Sequence, residues 1–314
     1  MARAQGARSQ MAAVFETVYG TPPASGYKRM PFASESLGQN QPLIANELVG
    51  YGRDPLAPTR DAISVNGDVD VPVDVESFGF WLKGAFGAPA TTGTGPGPYT
   101  HVFTSGSWVL PSMAIEIGMP EVPHFAMNAG CKVDKLGWTM KRAGNLLAKV
   151  GLIAQGEAVA ASTAAGTPTD YNLLRFGHFN GQIKRAATVL ANVVEADINY
   201  MNNLDPIEVI RADGKIAGAD PSIAALTGSL KVRFDSQVLL TQATDGSAAA
   251  FEFSYLLGTG ESLTVAVPKV YLPRPKIAVE GPSGVMATFD WQAAQDTGGD
   301  PMVTVTLVND VASY

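Results

Sequence analysis

Apolar and polar residues alternate with a period of two along most of the chain. In 302–308, Val303, Val305 and Leu307 fall on one side and Met302, Thr304 and Thr306 on the other. In 286–293, Ala287, Phe289, Trp291 and Ala293 oppose Thr288, Asp290 and Gln292. Successive side chains of a strand point to opposite faces, so each run predicts a half-buried strand. The turn-rich stretch 295–301 between them predicts that the two form a hairpin. Further strands are expected at 101–104, 112–118, 131–141, 145–154, 183–201 (broken by a turn), 251–257 and 263–272. Helical spacing is confined to 236–244 and to 75–86, where Val75, Phe78, Leu82 and Phe86 recur every three or four residues. The chain is expected to be mainly β.

An internal repeat organises these elements. GDVDVPVD at 67–74 matches GSLKVRFD at 228–235, an offset of 161 residues, with Val69, Val71 and Val73 falling on Leu230, Val232 and Phe234. In each half a helical stretch, two strands and a long hairpin (131–154 and 285–308) follow, and Gly52–Pro55 is echoed upstream by Gly218–Pro221. The expected division is an N-terminal arm over 1–42, a first β domain over 43–156, a surface linker over 157–180 and a second β domain over 181–314. The arm contains Pro22, Pro23, Pro31 and Pro42 and no sustained period, so it is expected to lie on something else and to be ordered by a partner.

Composition narrows the function. Charged residues are 16% of 314, against roughly 25% for ordinary soluble domains, which suggests a surface partly covered by a partner. The net charge of −7 disfavours a global grip on nucleic acid or anionic lipid. A single cysteine, Cys131, excludes an intrachain disulfide framework and Cys-based zinc or iron–sulfur sites. No stretch has the length of a signal-peptide apolar core or of a membrane span, so a soluble compartment and no membrane partner are expected.

Catalytic and metal signals are weak. Asp68, Asp70, Asp74 and Glu76 have calcium-like spacing, but Val71-Pro72 stands where an EF-hand needs a ligand and a glycine. Strand alternation accounts for them better, with Val69, Val71 and Val73 facing the core. The run GTGPGP at 93–98 lacks the lysine and spacing of a phosphate loop. His101, His124 and His178 are scattered, and no G-x-S-x-G elbow is present. No enzyme activity and no cofactor are expected.

Charge differs between the two long hairpins. Lys132, Lys135, Lys141, Arg142 and Lys149 against Asp134 give 131–154 a net of +4, whereas Asp290, Asp296, Asp300 and Asp310 give 285–310 a net of −4. Either the faces are independently solvated, or the basic set meets Asp296 and Asp300 across a subunit boundary, where complementary charge fixes register.

Taken in order, SLGQNQPLIANELVGYGRDP (36–55), GDVDVPVDVESFGFWLKGAFG (67–87), YTHVFTSG (99–106), LPSMAIEIG (110–118), GCKVDKLGWTM (130–140) and TGSLKVRF (227–234) resemble the tail tube proteins of long-tailed, siphovirus-type bacteriophages. The resemblance covers about 37–310. It implies two tandem antiparallel β-sandwich/barrel domains, each with a short flanking helix, whose strands complete a β-barrel between subunits. It further implies a structural virion protein whose rings stack into the conduit for DNA ejection. The partners implied are further copies of the chain, a tape measure protein, a tail terminator and baseplate proteins, with DNA passing through the lumen without specific binding. The place implied is the virion tail, and the host cytoplasm during assembly. Family members commonly carry one such domain and form six-membered rings; two domains per chain favour a ring of three chains with pseudo-sixfold symmetry over a hexamer. Candidate lumen residues are Thr288, Asp290, Gln292, Thr304 and Thr306. The competing readings are a tail terminator or baseplate component, or a carbohydrate-binding β-sandwich.

Overall fold

The structure is a computed structural model that describes residues 3–279, 281–296 and 298–314. In chain order the first half contains β1 (Gln10–Phe15), β2 (Lys28–Arg29), β3 (Ser34–Glu35), β4 (Gly38–Asn40), β5 (Leu43–Ile44), β6 (Thr59–Arg60), β7 (Ser64–Pro72) and α1 (Phe78–Phe86). It continues with β8 (Ala90–Thr92), β9 (Tyr99–Thr104), β10 (Met113–Met119), β11 (His124–Lys141), β12 (Leu147–Ala154), β13 (Gly156–Ala160) and β14 (Thr169–Asp170). The second half contains β15 (Gly181–Arg185), β16 (Thr188–Val189), β17 (Val193–Met201), β18 (Asp205–Ile207), β19 (Gly218–Asp220), β20 (Ala225–Arg233), α2 (Val238–Asp245), β21 (Ala249–Leu256), β22 (Ser262–Tyr271), β23 (Met286–Ala293) and β24 (Thr304–Asn309). The protein is mainly β, built from antiparallel sheets with two short helices, and its sheets do not close into a barrel within the chain.

Three layers account for the long strands. Sheet one runs β3/β4, β7, β12, the second part of β11, β17, β20, β23. Sheet two runs β16, β15, β21, β22, β24, β9, β8. Sheet three holds β2, β1, β10, the first part of β11 and β13. Alternation dictates what each face does: Val69, Val71, Val150, Leu152, Leu136, Trp138, Ile198, Leu230, Phe289 and Trp291 turn from sheet one into one continuous core. Sheet two supplies Phe251, Phe253, Tyr255, Val265 and Leu307, and Phe253 stacks on Trp291 at 5.7 Å. Both halves contribute to this core.

The ladders of the two halves share one register. Ser34 lies opposite Asp70, Glu35 opposite Val69, Gly38 opposite Asn66 and Asn40 opposite Ser64. Shifted by 161 residues, these become Glu195–Lys231, Ala196–Leu230, Asn199–Thr227 and Met201–Ala225, each a pair between β17 and β20. The small hairpins obey the same shift, Ile44–Thr59 becoming Asp205–Asp220. Gly67 and Gly228 are glycines for one reason: a Cβ would meet the Ser36 carbonyl oxygen at 2.3 Å in the first half and the Asp197 carbonyl oxygen at 1.9 Å in the second. The sequence echo of Gly52–Pro55 with Gly218–Pro221 is not part of this register, because Gly218–Asp220 pair as β19 whereas 52–55 lie between β5 and β6.

Helix α1, FGFWLKGAF, has no polar face, and all of its residues but Lys83 are buried. A helix apolar all round has to be enclosed. Phe78 meets Trp138 edge-on at 5.8 Å, Phe80 lies 4.4 Å from Phe15 and Phe86 stacks on Tyr200 at 4.3 Å. Enclosure leaves its backbone ends without water, and remote side chains meet them. The Asp74 carboxylate accepts the N–H groups of Glu76 and Ser77 and the Ser77 hydroxyl. Asn202 donates to the carbonyls of Ala85 and Val133, both at 2.9 Å. Asn309 donates to the Val75 carbonyl and the Tyr314 hydroxyl to the Glu76 carbonyl, each at 2.6 Å. By contrast α2 buries only Leu239, Gln242 and Ala243.

Several expectations are corrected. Strand β23 occupies 286–293 as expected, but it does not form a hairpin with β24: β23 pairs with β20 and the end of β22, whereas β24 is inserted between β22 and β9. Alternation identifies a strand and its faces, not its neighbour. The 1–42 arm is not held for a partner. β1 pairs along its whole length with β10, β3 and β4 pair with β7, and Met11, Ala13, Tyr27, Met30 and Leu37 are buried. These strands have two to six residues, too few to display a period. The 157–180 stretch is anchored as well, since the buried Glu116 carboxylate accepts Thr163 Oγ1 and the Ala164 and Ala165 N–H groups.

Two predictions follow from the enclosure of α1. Asn202→Ala strands two buried carbonyls and costs about 2 kcal/mol or more in urea unfolding, while Asn199→Ala, exposed on the preceding strand, changes little. Burial raises the Asp74 carboxyl above its ordinary 3.8, against the pull of the Ser77 hydroxyl and the Ser77, Glu76 and Phe78 N–H groups. A carboxyl raised by folding favours the folded state most when protonated. The stability of the native chain relative to Asp74→Asn therefore falls as pH rises from 3.8 and levels off above the folded value; a pH-independent difference refutes this.

Candidate assembly surfaces

Sheet one carries its polar residues outward in rows. Asp68 and Asp70 on β7 face Lys149 on β12, with Lys149 Nζ 3.5 Å from Asp68 and 3.9 Å from Asp70. Lys141 on β11 lies 3.2 Å from Glu195 on β17. Asp197 on β17 accepts Thr139 Oγ1 at 2.6 Å and Ser229 Oγ at 2.8 Å. Thr288, Asp290 and Gln292 are exposed on β23 at the far side of the same face. The face therefore carries both signs, with Lys141 and Lys149 each beside an acid on a neighbouring strand, and such exposed pairs add at most about 1 kcal/mol each.

This geometry divides the residues expected at a subunit boundary. Lys132 is half-buried, and its ammonium donates to the Ala219 carbonyl at 2.7 Å and lies over the Tyr19 ring; burial lowers its pKa. Lys135 is 3.9 Å from Asp134. Lys141 and Lys149 are paired within the chain, and Arg142, in the following turn, is exposed with no ion-pair partner among the described residues. Asp296 lies 3.5 Å from Lys269, and Asp300 is exposed in the loop before β24. The contrast of +4 and −4 counted segments along the chain, whereas each basic strand is flanked in space by an acidic one. The lumen candidates also separate: Thr304 and Thr306 lie on β24 in sheet two, whose outer face is on the other side of the core from Thr288, Asp290 and Gln292.

Residues weighed for chemistry have structural partners. Asp74 caps α1, and His101 is buried between Thr91 Oγ1 at 2.8 Å and the Val311 carbonyl at 2.8 Å. Cys131 is buried, and its thiol is pushed far up by burial. Among the described residues no group of three or more His, Cys, Asp and Glu side chains could hold a metal ion. No described helix is long and apolar enough to cross a membrane. Trp81, Trp138 and Trp291 are buried, whereas Trp108 is 72% exposed, beside the exposed Val109.

Two hairpins project from the sheets. The tip between β5 and β6 exposes Leu48, Val49 and Tyr51, and the loop between β18 and β19 exposes Val209 and Ile210. The Ile63 N–H, just after β6, donates to the Gly214 carbonyl in the β18–β19 loop at 3.0 Å, which ties that loop to the base of the first hairpin. Sequence reasoning passed over these hairpins; the signal was a cluster of apolar residues with no alternation. It also passed over Glu35 and Glu157, whose carboxylates accept the N–H groups of Leu37 and Gln39 on β4 and its approach.

The family model described as phage tail tube protein matches residues 6–293, through both halves. The chain belongs to this family. The protein is thus a structural component of the phage tail that self-assembles into a tube. No curated protein sequence matches it.

The pairing of Lys141 with Glu195 yields a check on how the tube protein's charges act. Lys141→Glu sets like charges on facing strands and lowers the melting temperature of the monomer, whereas Arg142→Glu, one residue further on, leaves it unchanged. Equal shifts in differential scanning calorimetry would contradict the pairing.

Proposed function

We propose that the chain polymerises into rings that stack into the tail tube, the conduit for DNA, with three chains per ring. The observation that carries this reading is the shared register of β3/β4–β7 and β17–β20 within one hydrogen-bonded sheet. One chain supplies two equivalent units side by side, so three chains supply six. On this reading each chain holds two diverged copies of one unit, the first beginning near Ser34 and the second near Glu195. A head-to-tail contact that closes by rotation removes sheet edges that would otherwise template uncontrolled pairing.

The outer face of sheet one is the proposed lumen wall, carrying Thr288, Asp290 and Gln292, with Thr304 and Thr306 facing away from the channel. Duplex DNA carries one charge per roughly 1.7 Å, and a wall of free lysines would hold it by counterion release. Here Lys149 and Lys141 are already met by acids, which favours passage over binding. The apolar hairpin tips suit contacts along the tube axis.

Negative-stain electron microscopy of concentrated protein, with native mass spectrometry of released rings, tests the reading. Hollow stacks with three chains per ring are expected. Six chains per ring would keep the tube and overturn the two-unit ring, and single rings that never stack would favour a terminator.

A further inference from the structure

Sheet one contains a seam between the halves, where Leu136 of β11 faces Tyr200 of β17, Trp138 faces Ile198 and Met140 faces Ala196. The ladders locate the counterparts of both strands. β17 corresponds to β3 and β4 at a shift of 161, as the pairs above establish. β12 corresponds to β23 at a shift of 139: Val150 opposite Val69 and Ala148 opposite Val71 become Phe289 opposite Leu230 and Ala287 opposite Val232. The same shift carries Lys132, opposite Ile153, to Tyr271, which does lie opposite Gln292. It therefore carries the rest of β11 onto residues 272–279.

That segment follows β22 but forms no strand. Leu272 is buried where Val133 is buried, and Ile277 packs partly on the core where Trp138 does. Beyond it Ala278 is exposed and Val279 is 75% exposed. Among the described residues no strand pairs with the segment, and Pro273 and Pro275 lack the N–H a ladder uses.

The opposite edge is also incomplete. In the internal seam the Asn202 N–H donates to the Asp134 carbonyl at 2.8 Å, so alternate residues of β17, namely Ala196, Ile198 and Tyr200, direct their N–H groups at β11. Their counterparts are Glu35, Leu37 and Gln39. The Ser36 N–H between them bonds inward to the Asp68 carbonyl at 2.9 Å. On the outer side the Leu37 N–H is held by the Glu35 carboxylate at 3.0 Å and the Gln39 N–H by the Glu157 carboxylate at 2.8 Å. Side chains thus occupy the donors that backbone carbonyls occupy in the internal seam.

We infer that residues 274–279 of one chain pair antiparallel with Glu35–Asn40 of the next, Ile277 facing Leu37, Ala278 facing Ser36 and Val279 facing Glu35. This deepens the tube reading and rests on it. The occupant of each edge is a second copy of this chain. On pairing, the carboxylates of Glu35 and Glu157 release Leu37 N–H to the Ile277 carbonyl and Gln39 N–H to the Pro275 carbonyl. Proline accepts although it cannot donate, so that position needs its donor from β4. Ile277 against Leu37 repeats the apolar pair Trp138–Ile198.

The test is a cross-link between Ser36→Cys and Ala278→Cys in one chain, both exposed positions. Facing residues of a non-hydrogen-bonded pair have Cα atoms about 4.5 Å apart, within disulfide range, and the native Cys131 is buried. Oxidised tubes are expected to lose the monomer band on a non-reducing denaturing gel and regain it with reductant. Ser36→Cys with Arg274→Cys, four residues out of register, stays monomeric. Tubes without the cross-link, or equal linking by the Arg274 variant, overturn the seam and leave the tube reading intact. As a second arm, Val279→Pro leaves monomer melting unchanged and lowers ring yield at least tenfold; wild-type yield overturns the seam. A native chain that forms no rings under any condition overturns both readings.

Discussion

The enclosure of α1 is the constraint on which the rest depends. A nine-residue helix without a polar side cannot rest on a surface, so sheet one, sheet three and β9 close around it. Enclosure then strands backbone groups at its flanks, each worth about 1–3 kcal/mol if unmet. The groups that meet them come from both ends of the chain: Asp74 from the adjoining turn, and Asn202, Asn309 and Tyr314 from the second half. The repeat-like halves are thereby tied into one cooperative body, and sheet one runs unbroken from β7 to β23.

That continuity explains how one face can serve a long assembly. Because β11 and β17 pair across the halves, the polar rows of the first half flow into those of the second without a break. Acids and bases alternate across strands, so the face holds mixed charge at short range while the chain as a whole stays acidic at −7. Exposed apolar residues include Leu48, Val49, Tyr51, Val209 and Ile210 on the two hairpin loops and Trp108 and Val109 on another loop.

Much of this was legible in the sequence, for identifiable reasons. Strand β23 was read at its observed bounds because Ala287, Phe289, Trp291 and Ala293 alternate without interruption. The helix was read because Phe78, Leu82 and Phe86 have helical spacing, although only the structure reveals that Phe80, Trp81 and Ala85 are buried too. The 161-residue offset was visible at Gly67 and Gly228, where a close backbone carbonyl forbids a side chain. It was invisible at 34–40, since SESLGQN and EADINYM share no residue and only the ladder aligns them. Segment 272–279 was hidden by its prolines. The intrachain partners of Lys141 and Lys149 were not legible, because a count along the chain ignores Asp68, Asp70 and Glu195, which arrive from other strands.

The cover of α1 also sets an order in time. Asn309 and Tyr314 bond to carbonyls 234 and 238 residues before them. At synthesis rates of roughly 5–20 residues per second, α1 leaves the ribosome on the order of 10–50 s before the residues that seal it. During that interval Phe78, Phe80 and Trp81 have no complete shelter. This stretch of a nascent chain is thus open to aggregation until β24 and the residues after it have been made.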